Sequence, residues 1–139
     1  MIHIEGYASL FDRMDLGRDI VMKGAFARSL QHKGPRHIRM LWQHDPSEPI
    51  GYWTDMDEDR KGLHVKGYLL PDIQRGRELA TLVRKGAIDG LSIGFRTVKA
   101  RRDPQARLRR LAEIDLWEIS LVTFPLLPGA RLISAQTMA

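Results

Sequence analysis

The sequence predicts an α+β protein built on a mainly antiparallel β-barrel or curved sheet of six to seven strands, with two or more helices around it. Three observations carry that prediction. Six stretches of the 139-residue chain alternate apolar and polar at period two. Only two segments space their apolar residues for one face of a helix. No repeat or linker interrupts them, so residues 1–139 are expected to form one domain. A chain of that size buries about two-thirds of its unfolded surface.

Each element follows in order. Ile2 to Ala8 alternates and reads as a strand, and Asp12 to Gly17 is turn-like. Asp19 to Gln31 carries Val21, Ala25, Phe26 and Leu30 at the spacing of a short helix, closed by Pro35. His37 to Gln43 is a strand with Ile38, Met40 and Trp42 on one side, and it delivers His44 at its end. Asp45 to Pro49 is a proline-bracketed loop before a strand from Ile50 to Met56. Asp57 to Gly62 has hairpin-turn chemistry, and Leu63, Val65, Gly67 and Leu69 alternate after it. Pro71 opens the clearest helix, with Ile73, Leu79, Leu82 and Val83 as its apolar stripe. Arg84 and Lys85 complement its C-terminal dipole and Gly86 ends it. Ile88 to Val98 is a strand carrying Ser92. Leu111 to Phe124 is a longer one, with Ile114, Leu116, Glu118, Ser120, Val122 and Phe124 on one face. Pro125 and Pro128 end the regular structure.

Composition narrows the class. Hydrophobic residues are 43% and charged residues 28%, which is globular rather than disordered. The absence of cysteine removes disulfides and thiolate metal sites, and it suits a reducing compartment. Met1 to Tyr7 has neither the basic nor the apolar region of a secretory leader. No apolar run approaches the roughly 18–20 residues of a membrane span, so a cytoplasmic protein without a membrane partner is expected. Net charge is +5, and much of the excess is local. Between residues 96 and 110 lie Arg96, Lys99, Arg101, Arg102, Arg107, Arg109 and Arg110 against Asp103 alone. Such a block suits nucleic acid or an acidic protein surface. The plainer expectation is a solvated, mobile loop broken by Pro104. With no aromatic residue between Phe95 and Trp117, base stacking lacks its platform and nucleic acid is not the expected partner.

The candidate chemistry centres on Gly90-Leu91-Ser92-Ile93-Gly94. A serine between two glycines sits in a small neighbourhood that a substrate carbonyl can approach. Its hydroxyl is a poor nucleophile unless a positioned base takes its proton. Histidine suits that task, and a third group must then hold the imidazole tautomer. His44 precedes the serine and Glu118 follows it, in an apolar alternating strand where a buried carboxylate needs a partner. Flanking glycines also mark tight strand packing, and Glu118 also has arginines to pair with. An α/β-hydrolase elbow is excluded, because that fold needs its histidine after the serine. All five histidines here precede Ser92. No His-Glu-x-x-His, Walker or dinucleotide glycine pattern occurs, so no metal and no cofactor is expected.

Five segments in order carry a resemblance across nearly the whole chain. They are Gly6 to Phe11; Gly24 to Leu30; Leu41 to Asp45 with Pro49-Ile50-Gly51; Gly90 to Phe95; and Glu118 to Pro125. With them the chain resembles the prohead (head-maturation) proteases of tailed phages, whose fold is similar to the herpesvirus assemblins. The resemblance implies His44 as general base, Ser92 as nucleophile and Glu118 as the acid of a triad. Asp45, Asp89 and Asp115 are local competitors for the third role. Herpesvirus relatives use a second histidine there, and none is available beyond His64. The resemblance further implies a serine endopeptidase that cleaves scaffold, or the scaffolding segment of the major capsid protein, inside an assembling prohead in a bacterial cytoplasm. A homodimer is implied in the same way. Leu126-Leu127-Pro128 departs from the family's usual Ala-Asn-Pro, and a chain this short suits a phage-derived particle or prophage. Backbone N–H groups near the Ser92 turn are the default oxyanion donors, with Arg96 as a helper on the same strand face. The rival class is a noncatalytic capsid-assembly module that binds scaffold or nucleic acid through residues 96–110.

Overall fold

The computed structural model describes residues 1–137. In chain order its elements are β1 (Ile2–Leu10), β2 (Asp19–Val21), α1 (Ala27–His32), β3 (Arg39–Trp42) and β4 (Asp45–Glu58). β5 (Gly62–Leu69), α2 (Gln74–Arg84), β6 (Gly90–Asp103), β7 (Leu108–Val122) and β8 (Leu132–Thr137) follow. All eight strands join one sheet in the order β2-β7-β3-β4-β5-β1-β8, with β6 also paired to β7. The strand β7 is the organiser. Its whole length pairs antiparallel with β6, while β2 and β3 lie parallel to it in succession along its other edge. The remaining ladders are antiparallel.

The sheet rolls up without closing into a continuous barrel. The turn into β8 meets the start of β6 through Leu91 N–H to Ala130 O (2.9 Å) and Leu132 N–H to Asp89 O (2.8 Å). One bridge, Gly90 to Arg131, is the only strand pairing described across that seam. The rolled sheet encloses Ile4, Met40, Ile50, Trp53, Leu63 and Ile119, all at most 1% exposed. Helix α1 packs on β7, and α2 packs against β4, β5 and β8. A buried hydroxyl anchors α1: Ser29 Oγ donates to Ile114 O and accepts from Leu116 N–H, each at 2.9 Å.

Several sequence expectations are corrected here. The strands number eight rather than six to seven, because two short segments become strands only through distant partners. Asp19–Val21 is a strand, not the start of a helix, since it pairs with Arg109–Leu111. Gly24, at φ 89°, separates it from the short α1. Leu132–Thr137 is a strand beyond the prolines, paired with Ile2–Gly6. Asp45 to Pro49 belongs to β4, pairing with Trp42 and Leu41 around two irregularities. The basic stretch is no loose loop but the distal arm of the β6–β7 hairpin, paired as far as Asp103 and Leu108.

The correction that matters most lies in β7. Between the pairs Gly94–Glu118 and Phe95–Leu116 the register slips by one residue, leaving Trp117 as a bulge. A bulge reverses which face later side chains take. Leu116, Ile119 and Leu121 therefore all enter the core, each fully buried. Glu118 and Ser120 go to the opposite face, so Ile114 and Leu116 do not share theirs with Glu118.

Candidate active site

The serine sits within β6, not at a turn, and lies directly opposite Ser120 of β7. Paired residues on adjacent strands point to the same side, so the register alone sets the Ser92 and Ser120 hydroxyls beside one another. The next pair on that face is Gly94 with Glu118. The glycine is needed for space. A Cβ on Gly94 would stand 2.1 Å from Glu118 Oε2 and 2.7 Å from its Cδ. The carboxylate lies across the bare glycine. Gly90 serves a similar purpose at the other end, where a Cβ would stand 2.7 Å from Val122 O and 2.8 Å from Pro125 Cδ.

His44 arrives from the β3–β4 turn in an uncommon conformation. Gln43 and His44 both adopt left-handed backbone, at φ 53° and 61°. Such positions cost of order 1–3 kcal/mol each and persist only when surrounding bonds over-determine them. Those bonds are present. Gln43 N–H donates to Leu121 O at 2.9 Å, and Gln43 Oε1 accepts from Thr123 N–H at 3.0 Å. His44 N–H donates to Ser120 Oγ at 3.0 Å. The turn is thereby tied to β7, the strand that bears Glu118.

The side chains then form a series. Ser92 Oγ lies 3.0 Å from His44 Nε2, and His44 Nδ1 is hydrogen-bonded to Glu118 Oε2. The carboxylate requires a proton on Nδ1, which leaves Nε2 as an acceptor facing the hydroxyl. Ser120 Oγ donates to the second carboxylate oxygen, Glu118 Oε1, at 2.6 Å. Glu118 raises the His44 pKa above its ordinary value, first through its hydrogen bond to Nδ1, and partial burial opposes the rise. Ser92 is 6% exposed, while the imidazole edge is open to solvent. An open hollow of about 520 Å³ begins at Ser92 and His44, walled by Leu16, Phe124 and Leu126. An imidazole so placed can take the serine proton while the carboxylate keeps its tautomer.

The other acids named from sequence are engaged elsewhere. Asp45, one residue from His44, turns back to accept from Ser47 N–H and Oγ at 2.9 and 2.7 Å. That bonding holds its pKa below the usual carboxylate range. Asp89 pairs with Arg131 at 2.6 Å. Asp115 binds Lys33 at 2.8 Å and accepts from Trp117 Nε1 at 3.0 Å, which lowers its pKa. Arg96 lies 4.0 Å from Asp115, in a hollow shared with Arg28 and His32 that does not include Ser92. It is not a helper at the serine. Among the described residues no cluster of His, Asp or Glu is arranged for a metal ion. Sequence reasoning passed over Ser120, although Glu-x-Ser in a strand sets both side chains on one face.

A rolled sheet with a hydroxyl, an imidazole and a carboxylate in series has the groups of a hydrolase of the serine class. The chain belongs to the Caudovirus prohead serine protease family, whose model matches residues 1–139. It is 36% identical over 124 residues to the prohead protease of Enterobacteria phage HK97, covering 87% of this chain and 54% of that one. It is 26% identical over 129 residues to the prohead protease of Escherichia phage T5, covering 90% and 59%. The chain thus spans a little over half the length of these relatives. Among solved structures, the bacteriophage T4 capsid assembly protease matches with a TM-score of 0.70 at 15% identity, over 86% of this chain and 80% of that one. The protease of Kaposi's sarcoma-associated herpesvirus, in complex with a hexapeptide phosphonate inhibitor, matches with a TM-score of 0.64 at 11% identity, over 99% and 65%. These two likenesses establish a herpesvirus-protease-like fold.

Proposed function

We propose that this chain is a serine endopeptidase domain that cleaves scaffold, or the scaffolding segment of the major capsid protein, inside an assembling phage head. One observation carries the catalytic part: Ser92 Oγ faces His44 Nε2 at 3.0 Å while Glu118 occupies Nδ1. In this reading His44 removes the Ser92 proton as Oγ bonds to the scissile carbonyl carbon. The tetrahedral intermediate collapses, the C–N bond breaks, and His44 passes the proton to the leaving amine. Water then enters, gives its proton to His44 and releases the acyl group, restoring Ser92. Glu118 keeps the imidazole oriented and stabilises its charged form.

The oxyanion donor we assign is Ile93 N–H. In an antiparallel strand successive N–H groups point to opposite edges. Leu91 N–H points away from β7, to Ala130 O, so Ile93 N–H points the same way. That edge of β6 borders the open hollow beside Ser92.

The substrate class rests on family membership and on the relatives' names, and the proposed place of action is the head assembling in the bacterial cytoplasm. Self-association is proposed by likeness to the herpesvirus enzyme, one structure of which carries a dimer disruptor. The deciding experiment is intact mass after treatment with a fluorophosphonate. A single adduct on wild type, absent from Ser92→Ala and His44→Ala, supports an activated serine. Equal labelling of Ser92→Ala would sink the mechanism. No adduct at high protein concentration would move the noncatalytic scaffold-binding module ahead.

A further inference from the structure

The distal arm of the β6–β7 hairpin carries charge that the fold does not use. Around its tip lies a concave surface of about 680 Å³, lined by Arg18, Asp19, Arg102, Asp103, Arg107 and Arg109 among others. Three of its six charges are matched. Arg109 makes a double hydrogen bond to the Asp19 carboxylate, both contacts at 3.0 Å. Asp103 accepts from Gln105 N–H and Ala106 N–H and lies 3.6 Å from Arg110. The others are unmatched. Arg18 donates to Arg107 O and Ala106 O at 2.5 and 2.6 Å, bonds that clamp the hairpin tip but leave the positive charge uncompensated. Arg102 and Arg107 are exposed and make no ion pair among the described residues. Three free guanidinium charges therefore ring one hollow.

This hollow lies at the far end of β6 from Ser92. Asp19 lies on its wall and also lines a cleft containing Arg13, Asp15, Ile93, Leu126 and Ser92. Ser92, Ile93 and Leu126 in turn line the open hollow at His44. The cleft between them is narrow, about 30 Å³, so the serine and the arginines stand on neighbouring walls at the two ends of β6 rather than along one open groove. The separation is ten residues of strand, at most about 33 Å, which an extended peptide spans in about ten residues.

Resting on the endopeptidase reading, we propose that the arginine hollow is an exosite for an acidic segment of the polypeptide substrate, lying about ten residues from the scissile bond. Guanidinium groups hold carboxylates by paired hydrogen bonds as well as by charge. A polypeptide is favoured over nucleic acid because the same strand bears the proposed peptide-cleaving serine and the arm presents no ring for base stacking. Docking there raises local substrate concentration at Ser92 by tethering.

The test uses the Ser92→Ala protein and a fluorescein-labelled peptide of twelve glutamates, followed by anisotropy beside a DNA duplex of equal charge. The expected result is binding of the glutamate peptide, weakened about tenfold or more between 50 and 300 mM salt. Arg102→Ser with Arg107→Asn is expected to lower affinity at least tenfold. Removing the same charge at Arg60 and Lys85 is expected to change it less than threefold. Neither hollow residue has an ionic partner, and far-UV circular dichroism checks that the variant folds. Equal losses in both variants, no binding, or preference for the duplex would overturn the proposal. A second arm times the Ser92 adduct of a peptidyl phosphonate carrying six glutamates beyond a ten-residue spacer. Labelling at least fivefold faster than with six serines is expected at low salt, and no acceleration despite binding would refute the tether. Absence of any adduct counts against the reading of Ser92, and anisotropy still decides the hollow.

Discussion

Replacing Gly94 by alanine isolates the carboxylate of the site with a single methyl group. Gly94 has a negative φ, so alanine brings no backbone strain, and the effect comes from the Cβ alone. That atom would stand 2.1 Å from Glu118 Oε2. Restoring an ordinary contact of roughly 3.4 Å requires the oxygen to retreat by about 1.3 Å. Hydrogen bonds fall within about 2.7–3.2 Å, so a retreat of that size breaks the bond to His44 Nδ1 and disturbs the one from Ser120. The glutamate can swing toward solvent, so the fold itself loses little. The imidazole loses its tautomer control, which in comparable triads costs about 10³–10⁴ in rate, or about 4–5.5 kcal/mol. The assay is the rate of fluorophosphonate adduct formation by intact mass, with thermal unfolding measured in parallel. Gly94→Ala is expected to label about 10³-fold slower with Tm within a few degrees of wild type. Combining it with Glu118→Gln is expected to add almost nothing, because both remove the same contact. Labelling of Gly94→Ala at the wild-type rate would refute the assignment of Glu118.

Other outcomes follow from the same geometry. Ser120→Ala removes the acceptor of His44 N–H and the donor to Glu118 Oε1, and is expected to slow labelling about 10–100-fold, with threonine restoring part of the rate. Labelling is expected to rise with pH through a midpoint above about 6.5, because the base must be neutral and Glu118 favours its protonated form. Glu118→Gln should move that midpoint downward; an upward shift contradicts the electrostatics. Since folding raises the His44 pKa, its protonation stabilises the native state fully below about pH 6.5 and progressively less as pH rises through the raised value. Ser29→Ala strips a buried hydroxyl that bridges β7 just before its bulge, and is expected to cost about 1–3 kcal/mol in urea unfolding. Gly51→Ala puts a Cβ 1.9 Å from Tyr68 O, a backbone atom that cannot swing aside, and is expected to give insoluble or unfolded protein.

The sequence by itself determined the elements whose pattern is strong and local. The first strand, the Asp57–Gly62 turn and the helix ended by Gly86 each rest on neighbours within a few residues. The candidates Ser92, His44 and Glu118 followed instead from residue type, order and a family resemblance that spans the chain. What local pattern could not show depended on distant partners. Asp19–Val21 becomes a strand only because Arg109–Leu111 lies beside it, and Leu132–Thr137 only because β1 offers an edge. The arm at residues 96–110 reads as loop by charge but is ordered by ladder bonds between its two halves. The site was decided the same way. The bulge at Trp117 reverses the faces of β7, taking Glu118 and Ser120 out of the core and onto the side of Ser92. A bulge is a choice between two registers, made by the packing of Leu116, Ile119 and Leu121 together, and no single stretch of sequence contains that comparison. The three side chains meet because the tertiary structure selects the register in which all three apolar residues are buried.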